Sequence, residues 1–390
     1  MQESAAIRVT EKRLGVIVGG SGLLGGALVH HFKSLEASGI DVLAPNSKRL
    51  SLREPEDIKQ YLQRYRPDFI INTAISAIDS DPQLAFETNY LGTVHLAKRA
   101  RDLKIPYIHI SSAAVLPPGE NLTEEEHLPL NGSLSSYTKS KLMAEMTLNH
   151  LHREQGLDHT IIRLGVVYGK HDHKIKGFQR LLFSVADQSM PVMLTEPHVL
   201  HSYTQTKKLP AFIEYILTRR EEFSGQTYHF VDRNPVLLAE LILTIRNYLE
   251  LKTPWEIYVP FPLANLGKKI ILRLLKSLGR VGVQARMPAE LMFLENFYTT
   301  QTLSGAKLEA TSYGNPDADT TVFTELPDMI RYYLTRWEHL NLISSFNRDL
   351  FDPGKRTDEF IHSPGKLLET MHRNDLGADK PVSSVGPGGP

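Results

Sequence analysis

The stretch Leu14-Gly15-Val16-Ile17-Val18-Gly19-Gly20-Ser21-Gly22-Leu23-Leu24-Gly25-Gly26 decides how the chain folds. Its first five residues form a short, apolar, β-branched run, which reads as a buried strand. Glycines then recur at 19, 22 and 25, and a helical pattern follows from Ala27 to Leu35. Glycine serves where a chain turns sharply, where backbone must approach a pyrophosphate, and where a helix packs closely on the preceding strand. A helix starting there aims its N-terminal N–H groups and the positive end of its dipole at the phosphates. The glycine spacing alone is common; strand before and helix after give it meaning.

Outward from that turn, strands and helices alternate. Short apolar runs at 41–44, 69–71, 107–110 and 160–163 read as strands, and helical patterns lie between them, at Glu56–Tyr65, Pro82–Leu103 and from Tyr137 onward. This alternation predicts an α/β fold, a doubly wound parallel sheet of Rossmann type over 14–170, with one more strand near 226–232. In such sheets ligands sit beyond the carboxyl ends of the strands. There the sequence places Asn72-Thr73-Ala74, small enough for a cofactor to lie across the strand end, and Ser112 after the strand from Tyr107. No acid closes the second strand; Lys48 and Arg49 follow it, which fits either the extra phosphate of NADP or a pair of solvated loop cations.

Ser135-Ser136-Tyr137-Thr138-Lys139-Ser140-Lys141 opens another helix, on which Tyr137 and Lys141 share one face, a turn apart. An ammonium beside a phenol favours phenolate, and the expectation is a tyrosine pKa drawn down from about 10. Such a tyrosine can exchange a proton with an alcohol or ketone. The same spacing also describes an ordinary solvated helix face.

Composition narrows the rest. Lys plus Arg equals Asp plus Glu at 44 each, so no basic excess points to nucleic acid. The absence of cysteine excludes disulfides, thiolate metal sites and cysteine nucleophiles, and fits a cytoplasmic setting. Neither a signal-peptide pattern at Met1–Arg13 nor a spanning apolar run is expected. His171-Asp172-His173 lacks a further ligand cluster, so no metal is assigned. Residues 1–13 read as an extension, 171–345 as a smaller, mainly helical C-terminal substrate region, and 346–390 as a polar tail, disordered from about 374. Pro288 to Arg336 looks helical around a loop at Gly314–Asp319. Within the substrate region, 266–286 carries six cations and no acid among leucines and isoleucines. It can lie on an anionic membrane, cover a lipid-like substrate, or simply pack on the domain with its cations in water.

Taken together, Gly19-x-x-Gly22-x-x-Gly25, Asn72-Thr73-Ala74, Asn89-x-x-Gly92, Ser112, Tyr137-x-x-x-Lys141 and Arg163 to Tyr168-Gly169 resemble the extended short-chain dehydrogenase/reductase family, with its NAD-dependent epimerase/dehydratase group. The resemblance implies Tyr137 as general acid/base, Ser112 as its companion on the substrate oxygen, and Lys141 on the nicotinamide ribose. It places Gly19, Ser21, Gly22, Leu23, Leu24 and Gly25 around the pyrophosphate. Asn72, Thr73 and Ala74 line the channel, and Leu164 and Val166 lie near the nicotinamide. The cofactor is NADP or NAD, with Lys48 and Arg49 leaning to NADP. A homodimer through the helices at 82–103 and 137–151 is implied as well.

The substrate half departs from the pattern. Ser51 stands where the family has an acid, Val115-Leu116-Pro117-Pro118 replaces the usual Val-Tyr-Gly, and Tyr203-Thr204-Gln205-Thr206 replaces Val-Asp-Asp. These departures and the basic-apolar stretch favour an NAD(P)-dependent oxidoreductase acting on an alcohol or ketone of lipid or steroid type. The alternatives are a nucleotide-sugar epimerase, dehydratase or reductase, with Arg273, Arg280, Arg286 or Lys307 on a diphosphate, and a non-catalytic cofactor-binding regulator.

Overall fold

A computed structural model describes residues 12–34, 39–76, 78, 80–172, 174–186, 192–193, 195–249, 251, 255–280, 294–340, 342, 360–365 and 368. The extension 1–11, residues 281–293 and the tail from 369 lie outside them, and with these the sequence reading of 374–390 and Arg286. The chain divides into two compact units, one of 1–174, 200–235 and 299–321, the other of 175–199, 236–298 and 322–390.

The first unit is built on a six-stranded, wholly parallel sheet. Its strands are β1 (Arg13–Val18), β2 (Ile40–Leu43), β3 (Phe69–Asn72), β4 (Tyr107–Ser112), β5 (His159–Leu164) and β6 (Gln226–Phe230), in the spatial order β6-β5-β4-β3-β1-β2. Alternation along each strand sends successive side chains to opposite faces. Ile17, Ile71, Ile108, Ile110 and Ile162 pack with Leu28 and Phe32 of α1 (Leu23–Ser34) and with Phe212 and Ile213 of the helix Leu209–Thr218. On the other face Val16, Val18, Ile70, Tyr107 and Ile161 meet α2 (Pro55–Tyr65), α4 (Gly92–Leu103) and α5 (Ser136–Gln155). With both faces covered, the central strands read as near-continuous apolar runs, as expected of parallel sheets.

Two elements differ from the sequence expectation. The pattern from Pro82 to Leu103 is not one regular helix: a short α3 (Pro82–Ala85) passes into a π-helical turn, Phe86–Leu91, before α4. Buried Asn89 sits in that turn, where its Oδ1 accepts the N–H of Ser76 and its Nδ2 donates to Ser140 Oγ. Two tertiary hydrogen bonds from one side chain hold the helix in the wider winding. In addition, Pro288–Arg336 is not helical throughout. Gln301–Leu303 is a short strand paired with Gly119–Leu122, inside the stretch expected to be helical.

The second unit contains the helices Gly177–Ala186, Leu238–Tyr248, Phe261–Arg280 and Val322–His339, and a two-stranded ladder of Val192–Met193 with Trp255–Tyr258. Trp337 is buried there, edge-on to Phe183 and stacked on Tyr333.

His159 and His229 are both fully buried in the central sheet. Burial, with His152 nearby, pushes His159 down to about 4; burial, with Arg163, pushes His229 down to about 3. The unfolded chain therefore binds more protons than the folded one below about 6.5, and stability falls as pH drops through that window. Each histidine contributes about 1.4 kcal/mol per pH unit to the slope. Urea unfolding of the wild type should show this loss between pH 6.5 and 4, and His159→Gln should flatten it; an unchanged slope in the variant would exclude His159 as a source.

Candidate active site

The β1–α1 turn sits where the order of strands reverses, since the chain passes from β1 out to β2 and then back across to β3. Ligands of open parallel sheets bind at such a point. Gly19 has φ +88, and a Cβ there would lie 2.7 Å from both Thr73 Oγ1 and the Ala74 nitrogen. At Gly25 a Cβ would come within 2.3 Å of the Gly19 oxygen, so α1 can start only if that residue has no side chain. Around Gly22 a Cβ would meet only the Gly19 oxygen, at 3.4 Å, leaving its outer side open to a ligand. Backbone N–H groups at the head of a 12-residue helix face that space. The arrangement fits a dinucleotide pyrophosphate, and Ser21, Leu23 and Leu24 are in the turn that would hold it.

At the carboxyl end of β3, the three residues expected to line the channel divide their work. Asn72 is buried; its Nδ2 donates to Thr93 Oγ1 and Tyr107 Oη at 3.1 and 2.9 Å, and its Oδ1 accepts the Ala74 N–H. It therefore shapes the strand end from beneath. Thr73 ties to the Val18 carbonyl through both N–H and hydroxyl at 2.9 Å, which leaves Ala74 half-exposed beside the glycine turn. Lys48 and Arg49 are exposed past β2, their N–H groups turned onto Asn46 Oδ1.

Ser112, Tyr137 and Lys141 gather at the carboxyl end of β4. Ser135 caps α5 by accepting the Thr138 N–H at 3.0 Å, which starts the helix one residue before Tyr137. Tyr137 is hydrogen bonded to Ser112, whose Oγ also accepts the Ala114 N–H. One turn on, the buried Lys141 donates to the Ile110 carbonyl at 2.8 Å. The expected lowering of the tyrosine pKa is not found: burial drives Tyr137 up, opposed by the Ser112 hydrogen bond. Lys141 is pushed down to about 8, again by burial, with Glu145 working the other way. Desolvation dominates both shifts because burial penalises the charged form of each group.

Two buried ion pairs lie in the same unit, and neither was singled out from the sequence. Glu145 accepts Arg163 Nε at 3.1 and Nη2 at 2.8 Å, and also the Ser111 hydroxyl. Arg163 Nη1 donates to the carbonyls of Glu124 and Glu126. The second pair joins Lys208 to Asp232 at 2.7 Å, with the Tyr168 hydroxyl on the other carboxylate oxygen. Pairs separated by 18 and 24 residues carry no local sequence signature.

Leu164 and Val166 flank Gly165, where a Cβ would lie 2.3 Å from the Ser202 oxygen. The stretch Tyr203–Gln205 pairs in parallel with Val166–Tyr168, and Thr204 Oγ1 bridges the Gly165 N–H and the Phe230 carbonyl. Of the candidate diphosphate cations, Lys307 lies over the Tyr228 ring at 5.2 Å and Arg273 is exposed in the second unit. Among the described residues no group of three metal-binding side chains is present; His173 is not among them.

Residues 16–196 match the sequence model of the NAD dependent epimerase/dehydratase family. The spore coat polysaccharide biosynthesis protein SpsK of Bacillus subtilis (strain 168) is 25% identical over 198 residues, 50% of this chain and 66% of SpsK. Methionine adenosyltransferase 2 subunit beta of Xenopus laevis is 27% identical over 179 residues, 44% of this chain and 52% of that protein. The matches thus span about half to two thirds of these curated relatives. The crystal structure of DesIV, a dTDP-glucose 4,6-dehydratase from Streptomyces venezuelae with NAD and TYD bound, superposes with a TM-score of 0.62. It covers 83% of this chain and 98% of its own at 18% identity, a likeness of fold.

Removing one partner of the Glu145–Arg163 pair leaves the other charge buried and unmatched. Glu145→Gln should cost about 3–5 kcal/mol in urea unfolding. A Glu145→Met/Arg163→Met double variant should recover much of that loss, and a double variant as unstable as the sum of its singles would show that the two do not act as a pair.

Proposed function

We propose, from the match of residues 16–196 to the NAD dependent epimerase/dehydratase family, that the protein is an NAD(P)-dependent enzyme acting on a nucleotide-linked sugar, by epimerisation, dehydration or reduction. The observation that carries it is the meeting of Ser112, Tyr137 and Lys141 at the strand end beside the glycine turn. The polysaccharide role in the name of SpsK and the dTDP-glucose in that of DesIV support a sugar substrate over a lipid or steroid one.

In this reading Gly19, Ser21, Gly22, Leu23, Leu24 and Gly25 hold the pyrophosphate on the head of α1. Ala74 and the backbone of Leu164 and Val166 border the rest of the cofactor, with Lys48 and Arg49 nearest the adenosine ribose. When bound, a dinucleotide would supply or accept a hydride at the substrate carbon. Ser112 holds the oxygen on that carbon by a hydrogen bond, and Tyr137 passes a proton to it or takes one from it. Because burial keeps Tyr137 a neutral phenol, it is set to donate as the carbinol forms. With a dinucleotide bound, Lys141 would hold the ribose hydroxyls in place of the Ile110 carbonyl, and its charge would offset the phenolate left behind. Phe86 and Met146, exposed on the π-helical turn and on α5, offer apolar contacts for a second copy across these helices.

A second reading is a non-catalytic regulator, favoured by the relative named as a methionine adenosyltransferase subunit. The two part on one experiment. Purified protein would be assayed for NADH and NADPH consumption or formation against UDP-, GDP- and dTDP-sugars, with dinucleotide affinity measured in parallel. On the enzymatic reading Tyr137→Phe lowers turnover by about 10²–10⁴-fold, the range for a general acid/base, and binds dinucleotide as the wild type does. Dinucleotide binding with no turnover in either protein would favour the regulator.

A further inference from the structure

The helix Phe261–Arg280 has no Asp or Glu in its 20 residues, yet carries Lys268, Lys269, Arg273, Lys276 and Arg280. It extends for about 30 Å at 1.5 Å per residue. Leu263, Leu266, Ile270 and Leu274 follow the three- and four-residue spacing of a single helix face, and stand 60%, 53%, 47% and 58% exposed. Lys269 and Arg273, each one residue before a member of that stripe, are exposed along its border. Ala264 is buried on another side of the helix, so the helix has an inward anchor as well as an outward apolar face.

We propose that this helix docks flat on an anionic lipid bilayer, with the Leu263–Leu266–Ile270–Leu274 stripe in the acyl-chain boundary and Lys269 and Arg273 on the lipid headgroups. A long apolar stripe edged by cations is what an interfacial helix requires: the stripe gains by leaving water, and the cations gain from the negative surface potential. Among the described residues no helix is long and apolar enough to cross a membrane, so the orientation is parallel to the surface. Charge also argues against a second copy of the helix as the occupant. Two such helices packed on their stripes would bring Lys269 and Arg273 of each beside those of the other, with no carboxylate on either. Neither the sugar chemistry nor the Tyr137 site enters this inference, which stands or falls separately from them.

The test is flotation of the full-length protein with vesicles of phosphatidylcholine alone, or of phosphatidylcholine and phosphatidylserine at a molar ratio of about 7:3. Binding to the anionic vesicles only, weakened by added salt, is the expected result. Lys269→Gln/Arg273→Gln should reduce partitioning about 30-fold, roughly fivefold per cation. Leu266→Ser/Ile270→Ser/Leu274→Ser should abolish it, with far-UV circular dichroism unchanged in both variants. The proposal is overturned by no flotation with anionic vesicles at low salt, or by equal flotation of wild type and the glutamine variant. A dimer in sedimentation that the triple-serine variant converts to monomer, without vesicle binding by the wild type, would assign the stripe to a second copy instead.

Discussion

The buried contact between Glu145 and Arg163 sets the geometry on which the site depends. With side chains 3% and 5% exposed, neither group can turn to water, and each must be satisfied by the other and by nearby donors and acceptors. Their bonds reach β5 through Arg163, α5 through Glu145, β4 through Ser111, and the loop before α5 through the carbonyls of Glu124 and Glu126. Tyr137, Lys141 and Glu145 follow at intervals of four on α5, so they project from one face. Fixing Glu145 against the sheet fixes the rotation of the helix about its axis, and with it the approach of Tyr137 to Ser112.

The same burial that makes the pair rigid sets the charge states above it. Lys141 lies between Tyr137 and Glu145, and the carboxylate is the charge that acts to keep it protonated. Desolvation prevails, bringing the lysine down to about 8, and it also keeps the phenol protonated. A proton donor and a cation held at a fixed distance in a dry site need no large reorganisation when charge develops on the tyrosine oxygen, which is the condition for electrostatic assistance to be strong. The Ile110 carbonyl occupies the lysine in this state. On the proposed reading a ribose hydroxyl would offer an equivalent acceptor, so the exchange between them would lose little hydrogen bonding.

What the sequence made legible was steric and local. Gly19 and Gly25 are unreplaceable because backbone lies within 3 Å of where a Cβ would stand, and such constraints leave a readable residue in a readable place. The strand–helix alternation was legible for the same reason, since β1 to β5 bury apolar side chains on both faces. The π-helical turn at Phe86–Leu91 was not, because its cause is the reach of Asn89 to Ser76 and Ser140, 13 and 51 residues away. Lys208 and Asp232 likewise become partners only once the strand around Tyr203 and the end of β6 lie side by side. The sign of the Tyr137 shift was missed because a helical spacing reports who is adjacent and says nothing of how dry the space between them is.

The departure Val115-Leu116-Pro117-Pro118 shows how a divergent wall is held. Two successive prolines cannot donate backbone hydrogen bonds, so this stretch cannot be built into a ladder through its own N–H groups. Three of its surrounding carbonyls, those of Ala113, Leu116 and Pro117, instead receive the side-chain amide of Gln301 at 3.1–3.2 Å. Gln301 lies 189 residues beyond Ser112, on the short strand that pairs with Gly119–Leu122. A side chain has taken over what a backbone would do elsewhere, and it fixes the turn that leaves Ser112. On the proposed reading, the glycines of the cofactor half, Gly19, Gly22 and Gly25, lie within seven residues of one another, whereas the wall leaving Ser112 is assembled from distant segments and is legible only in the folded chain.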